Sequence, residues 1–195
     1  MNEWKVDIIS ISWGLPRKIR ALEIELANAR KAKVLVFASA SNAGANAEIT
    51  FPASLPKIVF CIGSANSFGR RSDFSPPALG TEKYSTLGEG VNGAKILQDM
   101  EAPQNVKERR SGTSTATPIA AGIAALFVEY TRQFTSRGEG ADNYDNLRKI
   151  FLKVSELSDG NPYRYLAVPN FFRSCQDTAD LMDLVTDVME KPAGS

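Results

Sequence analysis

The sequence predicts an α/β domain in which a mostly parallel sheet carries helices on both of its faces. Two apolar, β-branched runs at 6–12 and 34–38 predict strands, and between them apolar residues recur at spacings of three and four over 17–32. Strand, helix and strand in about thirty residues form a βαβ unit with a right-handed crossover. The second run shows no polar alternation, which is typical of a parallel strand buried on both faces.

The elements further along the chain follow from the same periodicities. A third strand is predicted at 57–63, and the loop-rich region 64–110 is expected to carry short strands only. Residues 113–134 predict a long helix, apolar enough to be buried on every side. Two further amphipathic helices are predicted at 146–154 and 177–189.

Composition excludes several classes of function. The 195 residues are 43% apolar and 23% charged, with a formal net charge of +1, so neither a nucleic-acid-binding nor a membrane-binding surface is predicted. The longest uncharged stretch, 111–128, falls short of the ~20 apolar residues of a membrane-spanning helix. Cys61 lies in an apolar run and Cys175 in a polar one, a spacing that indicates neither a metal site nor a disulfide framework.

The domain organisation predicted is one domain at 1–172 followed by an acidic helix or tail at 173–195. The chain opens directly on a parallel strand, with nothing before it to form the rest of a sheet. We therefore expect the N-terminal part of the domain to be missing from this sequence. No signal peptide is visible after Met1, which favours a cytoplasmic or other intracellular location.

The strongest chemical signal is Gly-Thr-Ser-Thr-Ala-Thr-Pro at 112–118, where the long helix begins. A serine at a helix N-terminus lies beside unpaired backbone N–H groups and the positive end of the macrodipole. Those donors stabilise the oxyanion that forms when a hydroxyl attacks a carbonyl. The same segment also satisfies a purely structural reading, as a Ser/Thr cap with proline in the first turn.

The second signal is Asn42, which follows the buried strand 34–38. Ligands of parallel sheets bind at the carboxyl ends of the strands, where an amide N–H is available to a developing oxyanion. An Asn-rich turn that merely closes the strand explains the same residues.

Six short segments, in this order, resemble the catalytic domain of the peptidase S8, or subtilisin, family over residues 5–135. Residues 112–118 match the family's nucleophile signature G-T-S-x-A-x-P, and 41–44 match its oxyanion segment, which usually reads G-N-x-G. The remaining four segments are 12–14, 38–40, 51–53 and 73–75. The chain thus resembles the C-terminal part of that domain, and we expect an intracellular member of the fungal type.

The resemblance implies a serine endopeptidase that forms an acyl-enzyme at Ser114, with Asn42 as the oxyanion donor and a polypeptide as substrate. It also implies that an extended peptide adds as a strand between two edges of the site. The substrate-binding residues implied are Ser12, Trp13, Gly14, Ala38, Ser39, Ala40 and Thr113. No cofactor is required, and calcium enters by resemblance alone.

The chain departs from the family in one decisive respect, since it contains no histidine. The family's triad runs Asp, His, Ser, so both partners of Ser114 are expected before this sequence begins. In subtilisin, losing the histidine costs about 10⁶-fold in kcat, while the oxyanion hole retains ~10³–10⁴ over water. We therefore expect the isolated chain to be close to inert. The family's Ala-Pro-Gly turn is replaced by 87–90, which puts the pocket rim and any calcium loop in question.

Three functional interpretations stay open at this level. The chain is part of an endopeptidase, a non-catalytic subtilisin-fold module that binds peptides or partners, or a decayed fragment. Retention of Ser114 and Asn42 favours the first interpretation, whereas the absence of histidine favours the second. The sequence predicts neither cleavage specificity nor oligomeric state.

Overall fold

The computed structural model describes residues 4–78, 83–94, 107–134, 140–157, 163–169, 173 and 185–186. The strands are β1 (Ile8–Ile11), β2 (Leu35–Ser39), β3 (Phe60–Ala65), β4 (Tyr84–Leu87), β5 (Val91–Ala94), β6 (Lys107–Arg110), β7 (Ser155–Leu157) and β8 (Arg164–Leu166). The helices are α1 (Arg20–Lys31), α2 (Thr113–Phe134) and α3 (Tyr144–Val154).

The main sheet has six strands in the order β1-β2-β3-β4-β8-β7. All neighbouring pairs are parallel except β7 and β8, which run antiparallel at one end of the sheet. β5 and β6 form a separate antiparallel pair immediately before α2. The prediction of a mostly parallel sheet is confirmed, and in the parallel part all carboxyl ends lie along one edge.

Helices cover both faces of this sheet, as predicted, because the side chains of β2 alternate between two apolar clusters. Leu35 and Phe37 pack on the side of α2 and α3, whereas Val36 and Ala38 pack on the side of α1. Every residue of β2 is buried. The absence of polar alternation in this strand therefore reflects a layer of side chains on each face.

Aromatic rings dominate the core on the side of α2 and α3. Phe60 stacks on Phe37 with ring centroids 5.0 Å apart, and on Tyr144 at 4.3 Å. Phe151 of α3 meets the edge of Tyr84 at 5.2 Å. These contacts join the amino-terminal end of β3 to the first turn of α3.

The prediction that α2 is buried on every side is wrong. Its small residues face the sheet, but positions spaced by three and four on the opposite side are exposed: Pro118, Gly122, Ala125, Leu126 and Glu129. Leu126 is 61% exposed, whereas its neighbour Phe127 is 2% exposed. α2 has more apolar side chains than the sheet covers. Within the described ranges, no other element packs on this stripe.

Other sequence-based expectations are met only in part. Cys61 is a free, buried thiol in β3, and burial raises its pKa to about 12. Cys175, the helix at 177–189 and most of the tail at 173–195 lie outside the described residues, so the boundary after 172 stays a prediction. None of the described helices has both the length and the apolarity needed to cross a membrane.

The exposed stripe of α2 is testable with two adjacent substitutions. Leu126→Ser should change the free energy of unfolding by no more than about 0.5 kcal/mol, because it alters a largely solvated side chain. Phe127→Ala should cost about 3–5 kcal/mol, because it leaves a cavity in the core. Urea denaturation of both variants measures the difference, and comparable losses would show that α2 is buried all round.

Candidate active site

Ser114 is the second residue of α2, and its backbone N–H points from the first turn of the helix. The N–H groups of Thr115 and Ala116 both donate to the carbonyl of Gly112, at 3.1 and 3.3 Å. The N–H of Ser114 has no acceptor among the described residues. An unpaired donor at the positive end of a 22-residue helix is well placed to bind negative charge.

The Ser114 side chain is tied to the residue that follows β1. Its Oγ donates to the backbone carbonyl of Ser12 at 3.1 Å, and the Ser12 Oγ donates to the carbonyl of Ser114 at 2.9 Å. This reciprocal pair holds the start of α2 against the end of β1. A backbone carbonyl orients the hydroxyl but does not remove its proton, so the pair supplies no general base.

Asn42 follows β2 at the same edge of the sheet, as its position in the sequence predicts. Its Oδ1 accepts hydrogen bonds from the N–H of Thr113 at 2.8 Å and from the Thr113 Oγ1 at 3.0 Å. Because the oxygen is occupied, the amide must direct its N–H groups elsewhere. No described residue accepts from Nδ2. This donor therefore stays available on a side chain that contacts Thr113, the residue before Ser114.

Thr113, which the resemblance assigned to substrate binding, has a different place in the structure. It is 1% exposed, and its hydroxyl donates to the Ser41 carbonyl as well as to Asn42. These contacts position the carboxamide of Asn42. The assignment of Thr113 to substrate binding stays a prediction.

Two unusual backbone conformations frame this contact, and sequence reasoning missed the importance of both. Gly112 has φ of +154°, and a Cβ at this position would lie 3.1 Å from Nδ2 of Asn42. Ser41 has φ of +151°, which is unfavourable for a residue with a side chain. The signal was present, since the resembling family usually has glycine where Ser41 stands.

The exposed segment 12–14 forms one rim of the site. Trp13 is 48% exposed, and neither Trp13 nor Gly14 makes a backbone hydrogen bond to another described residue. A Cβ on Gly14 would lie 2.0 Å from Oγ1 of Thr50, so only glycine permits this approach. The rim ends where Leu15 pairs with Phe51 through two hydrogen bonds.

The segment 38–40 is more buried than the resemblance implied. All three residues are buried, and Ala38 and Ser39 belong to β2. The Ala40 N–H donates to Ile62 and the Ala40 carbonyl accepts from Thr50. Its backbone is therefore already paired, which leaves no free edge at Ala40 for an added strand.

The described residues offer no cluster of charged ligands for a metal ion. No group of three or more Cys, Asp or Glu side chains lies together in these ranges, and the chain has no histidine. The calcium admitted by the resemblance therefore has no carboxylate cluster here, and no chemical step is assigned to it.

The close approach of Gly112 to Asn42 predicts a large effect from a single methyl group. Gly112→Ala should cost about 1–3 kcal/mol of stability through its positive φ, and it should push the Asn42 amide out of place. Gly122→Ala is the matched control, because its Cβ meets nothing within 4 Å and alanine in an exposed helix position should stabilise by up to ~1 kcal/mol. Thermal unfolding of both variants checks the opposite signs; equal effects would contradict the strained geometry.

The positive φ of Ser41 predicts a substitution that stabilises the protein. Ser41→Gly should relieve strain of about 1–3 kcal/mol against a backbone-entropy cost of ~0.5–1 kcal/mol. The expected net gain is about 1 kcal/mol in the free energy of unfolding, measured by urea denaturation. A loss of stability would mean that the hydrogen bond from the Ala43 N–H to the Ser41 Oγ, at 3.2 Å, outweighs the strain.

Known proteases resemble this chain in sequence. The major intracellular serine protease of Bacillus subtilis (strain 168) is 28% identical over 189 residues, covering 93% of this chain and 56% of that protein. Subtilisin-like protease het-Q2 of Podospora anserina is 29% identical over 133 residues, covering 66% of this chain and 36% of its own length. The chain thus spans about half, or less, of these relatives. Since both sources match, a fungal origin stays a prediction.

Solved structures give the same result. The patellamide maturation protease PatA has a TM-score of 0.68 and 30% identity, over 87% of this chain and 63% of that one. A family model described as the subtilase family matches residues 2–153. The resemblance drawn from six short segments is confirmed by these matches, and the chain belongs to the subtilase family.

Proposed function

We propose that this chain carries the nucleophile and the oxyanion hole of a serine endopeptidase. The observation that carries the proposal is a pair of N–H donors without described acceptors, one on the backbone of Ser114 and one on Nδ2 of Asn42. Both donors lie where the end of β2 meets the start of α2, and the hydrogen bonds between Asn42 and Thr113 hold these two elements together. Donors held in place before reaction are the main source of stabilisation in acyl transfer.

The proposed reaction begins when Oγ of Ser114 attacks the carbonyl carbon of a peptide bond. The hydroxyl proton leaves to a base, and the carbonyl oxygen becomes an oxyanion that accepts from the two N–H donors. Collapse of the tetrahedral intermediate expels the amine, which takes up a proton, and leaves an ester on Ser114. Attack by water then releases the acid and restores the hydroxyl.

The base of this reaction has to come from outside the given sequence. The chain has no histidine, and the group that accepts from the Ser114 hydroxyl is a backbone carbonyl. Related proteins extend well beyond the matched region, so the proposal assigns the base to such an additional segment. The isolated chain is proposed to be close to inert, and an intracellular location is proposed by similarity to the Bacillus enzyme.

The proposal assigns substrate binding chiefly to the segment 12–14. Its backbone is exposed and unpaired at Trp13 and Gly14, which suits the antiparallel addition of an extended polypeptide. Residues 38–40 are proposed as a wall behind the scissile bond, since their backbone is engaged in the sheet.

A non-catalytic, peptide-binding module is the second candidate, favoured by the missing histidine. The same rim would hold a peptide in either case. The two candidates differ in whether Ser114 ever becomes nucleophilic, which a covalent probe decides.

A fluorophosphonate probe tests the endopeptidase proposal. The product of the complete transcript should be labelled at Ser114 if it supplies a histidine. The 195-residue chain, once circular dichroism has shown that it is folded, should not be labelled. Strong labelling of the isolated chain would overturn the account of the missing base. No labelling of a histidine-containing longer product would overturn the endopeptidase proposal in favour of the binding module.

Within the active longer protein, Asn42→Ala should lower kcat by about 10²–10³-fold, the loss measured for the corresponding amide in subtilisin itself. The matched control is Asn46→Ala, an exposed asparagine in the same loop, which should leave kcat unchanged. Hydrolysis of a chromogenic peptide measures both variants. Equal rates for Asn42→Ala and the control would remove Asn42 from the oxyanion hole.

A further inference from the structure

Thr50 lies where the two sides of the proposed substrate site meet. Its N–H and its Oγ1 both donate to the carbonyl of Ala40, at 3.0 and 3.1 Å. On its other side the Thr50 side chain touches Gly14, where an added Cβ would lie 2.7 Å from the Thr50 Cβ and closer still to Oγ1. A single side chain therefore spans the gap between the rim 12–14 and the wall 38–40.

The next residue holds Thr50 in this position. Phe51 pairs with Leu15 through two backbone hydrogen bonds of 2.7 and 3.0 Å, so the segment 50–51 is tied to both sides of the gap. The Phe51 side chain is buried in the core, whereas Thr50 is only partly buried. The hydroxyl and methyl groups of Thr50 thus form a fixed, partly exposed floor between the rim and the wall.

This floor lies beside the proposed catalytic groups. Ser12, at one end of the rim, exchanges hydrogen bonds of 2.9 and 3.1 Å with Ser114, and Asn42 follows the wall by two residues. A peptide carbonyl attacked by Ser114 and bound by Asn42 therefore comes from a substrate residue held between the rim and the wall. When the side chain of this residue, the acyl residue, turns inward, it enters the gap that Thr50 closes.

The size of a side chain, rather than its charge, decides whether it fits this gap. No charged residue belongs to the rim, the wall or the segment 50–51. The contacts of Thr50 with Gly14 and Ala40 leave its methyl and hydroxyl groups in the space that a large side chain would need. Steric exclusion of this kind is a strong source of specificity, since one methylene group changes kcat/KM by about 10–200-fold.

We propose that Thr50 restricts the site to substrates with a small acyl residue: glycine, alanine or serine. The inference rests on the proposed endopeptidase function and adds a substrate class to it. Thr50 acts by excluding larger side chains, so it takes no part in the making or breaking of bonds.

Two chromogenic peptides that differ only in having alanine or phenylalanine as the acyl residue test the proposal in the active longer protein. The readout is the ratio of their kcat/KM values, because an unfolded fraction lowers both values equally. Alanine should be preferred by at least about tenfold. Thr50→Gly should raise the relative kcat/KM for phenylalanine by at least about tenfold, and Thr50→Ala should shift it in the same direction, which keeps the test available if Thr50→Gly does not fold.

Two control variants separate the volume of Thr50 from its other properties. Thr50→Val keeps the volume of the side chain but removes the hydroxyl, so it should retain the preference for alanine. Asn46→Gly introduces a glycine at an exposed position of the same loop, and the ratio should stay the same within about twofold, because this residue lies outside the rim, the wall and the floor.

The outcomes distinguish this proposal from the one on which it rests. Hydrolysis of the phenylalanine peptide at an equal or higher rate by the unchanged protein would overturn the restriction and leave the endopeptidase function standing. An unchanged ratio in Thr50→Gly and Thr50→Ala, or loss of the preference in Thr50→Val, would likewise remove the role of Thr50 volume alone. Hydrolysis of neither peptide, together with no fluorophosphonate label at Ser114, would overturn the endopeptidase function itself.

Discussion

The hydrogen bonds that Oδ1 of Asn42 accepts from Thr113 hold the end of β2 against the start of α2, and the whole site depends on them. They fix which way the carboxamide points, and they leave its N–H groups without an acceptor among the described residues. Two backbone conformations with positive φ, at Ser41 and Gly112, make this contact possible. Strain at such positions persists only where the surrounding structure determines it.

The parallel sheet gives its two edges different chemistry. At the carboxyl edge the functional groups are neutral: a hydroxyl, an amide and a helix N–H. At the amino edge the end of α1, the first turns of α3 and the residues before β3 and β4 place four cationic side chains around one cavity.

The site divides the requirements of acyl transfer into a part that is present and a part that is absent. Stabilisation of an oxyanion needs donors, a role that we propose for the N–H groups of Ser114 and Asn42. Removal of the hydroxyl proton needs a base, and the sequence has no imidazole to supply it. The exposed stripe of α2 is also more apolar than its contact with the described sheet requires.

The sequence by itself determined the α/β class, the first three strands, the exact span of α2 and the positions of Ser114 and Asn42, because local periodicity and short motifs encode them. Tertiary structure alone decided that α2 has an exposed face, that Thr113 is buried against Asn42, and that the backbone of Ala40 is already paired. It also decided that four cations from separate elements line one cavity. These properties depend on contacts between residues far apart in the chain, which no local pattern records.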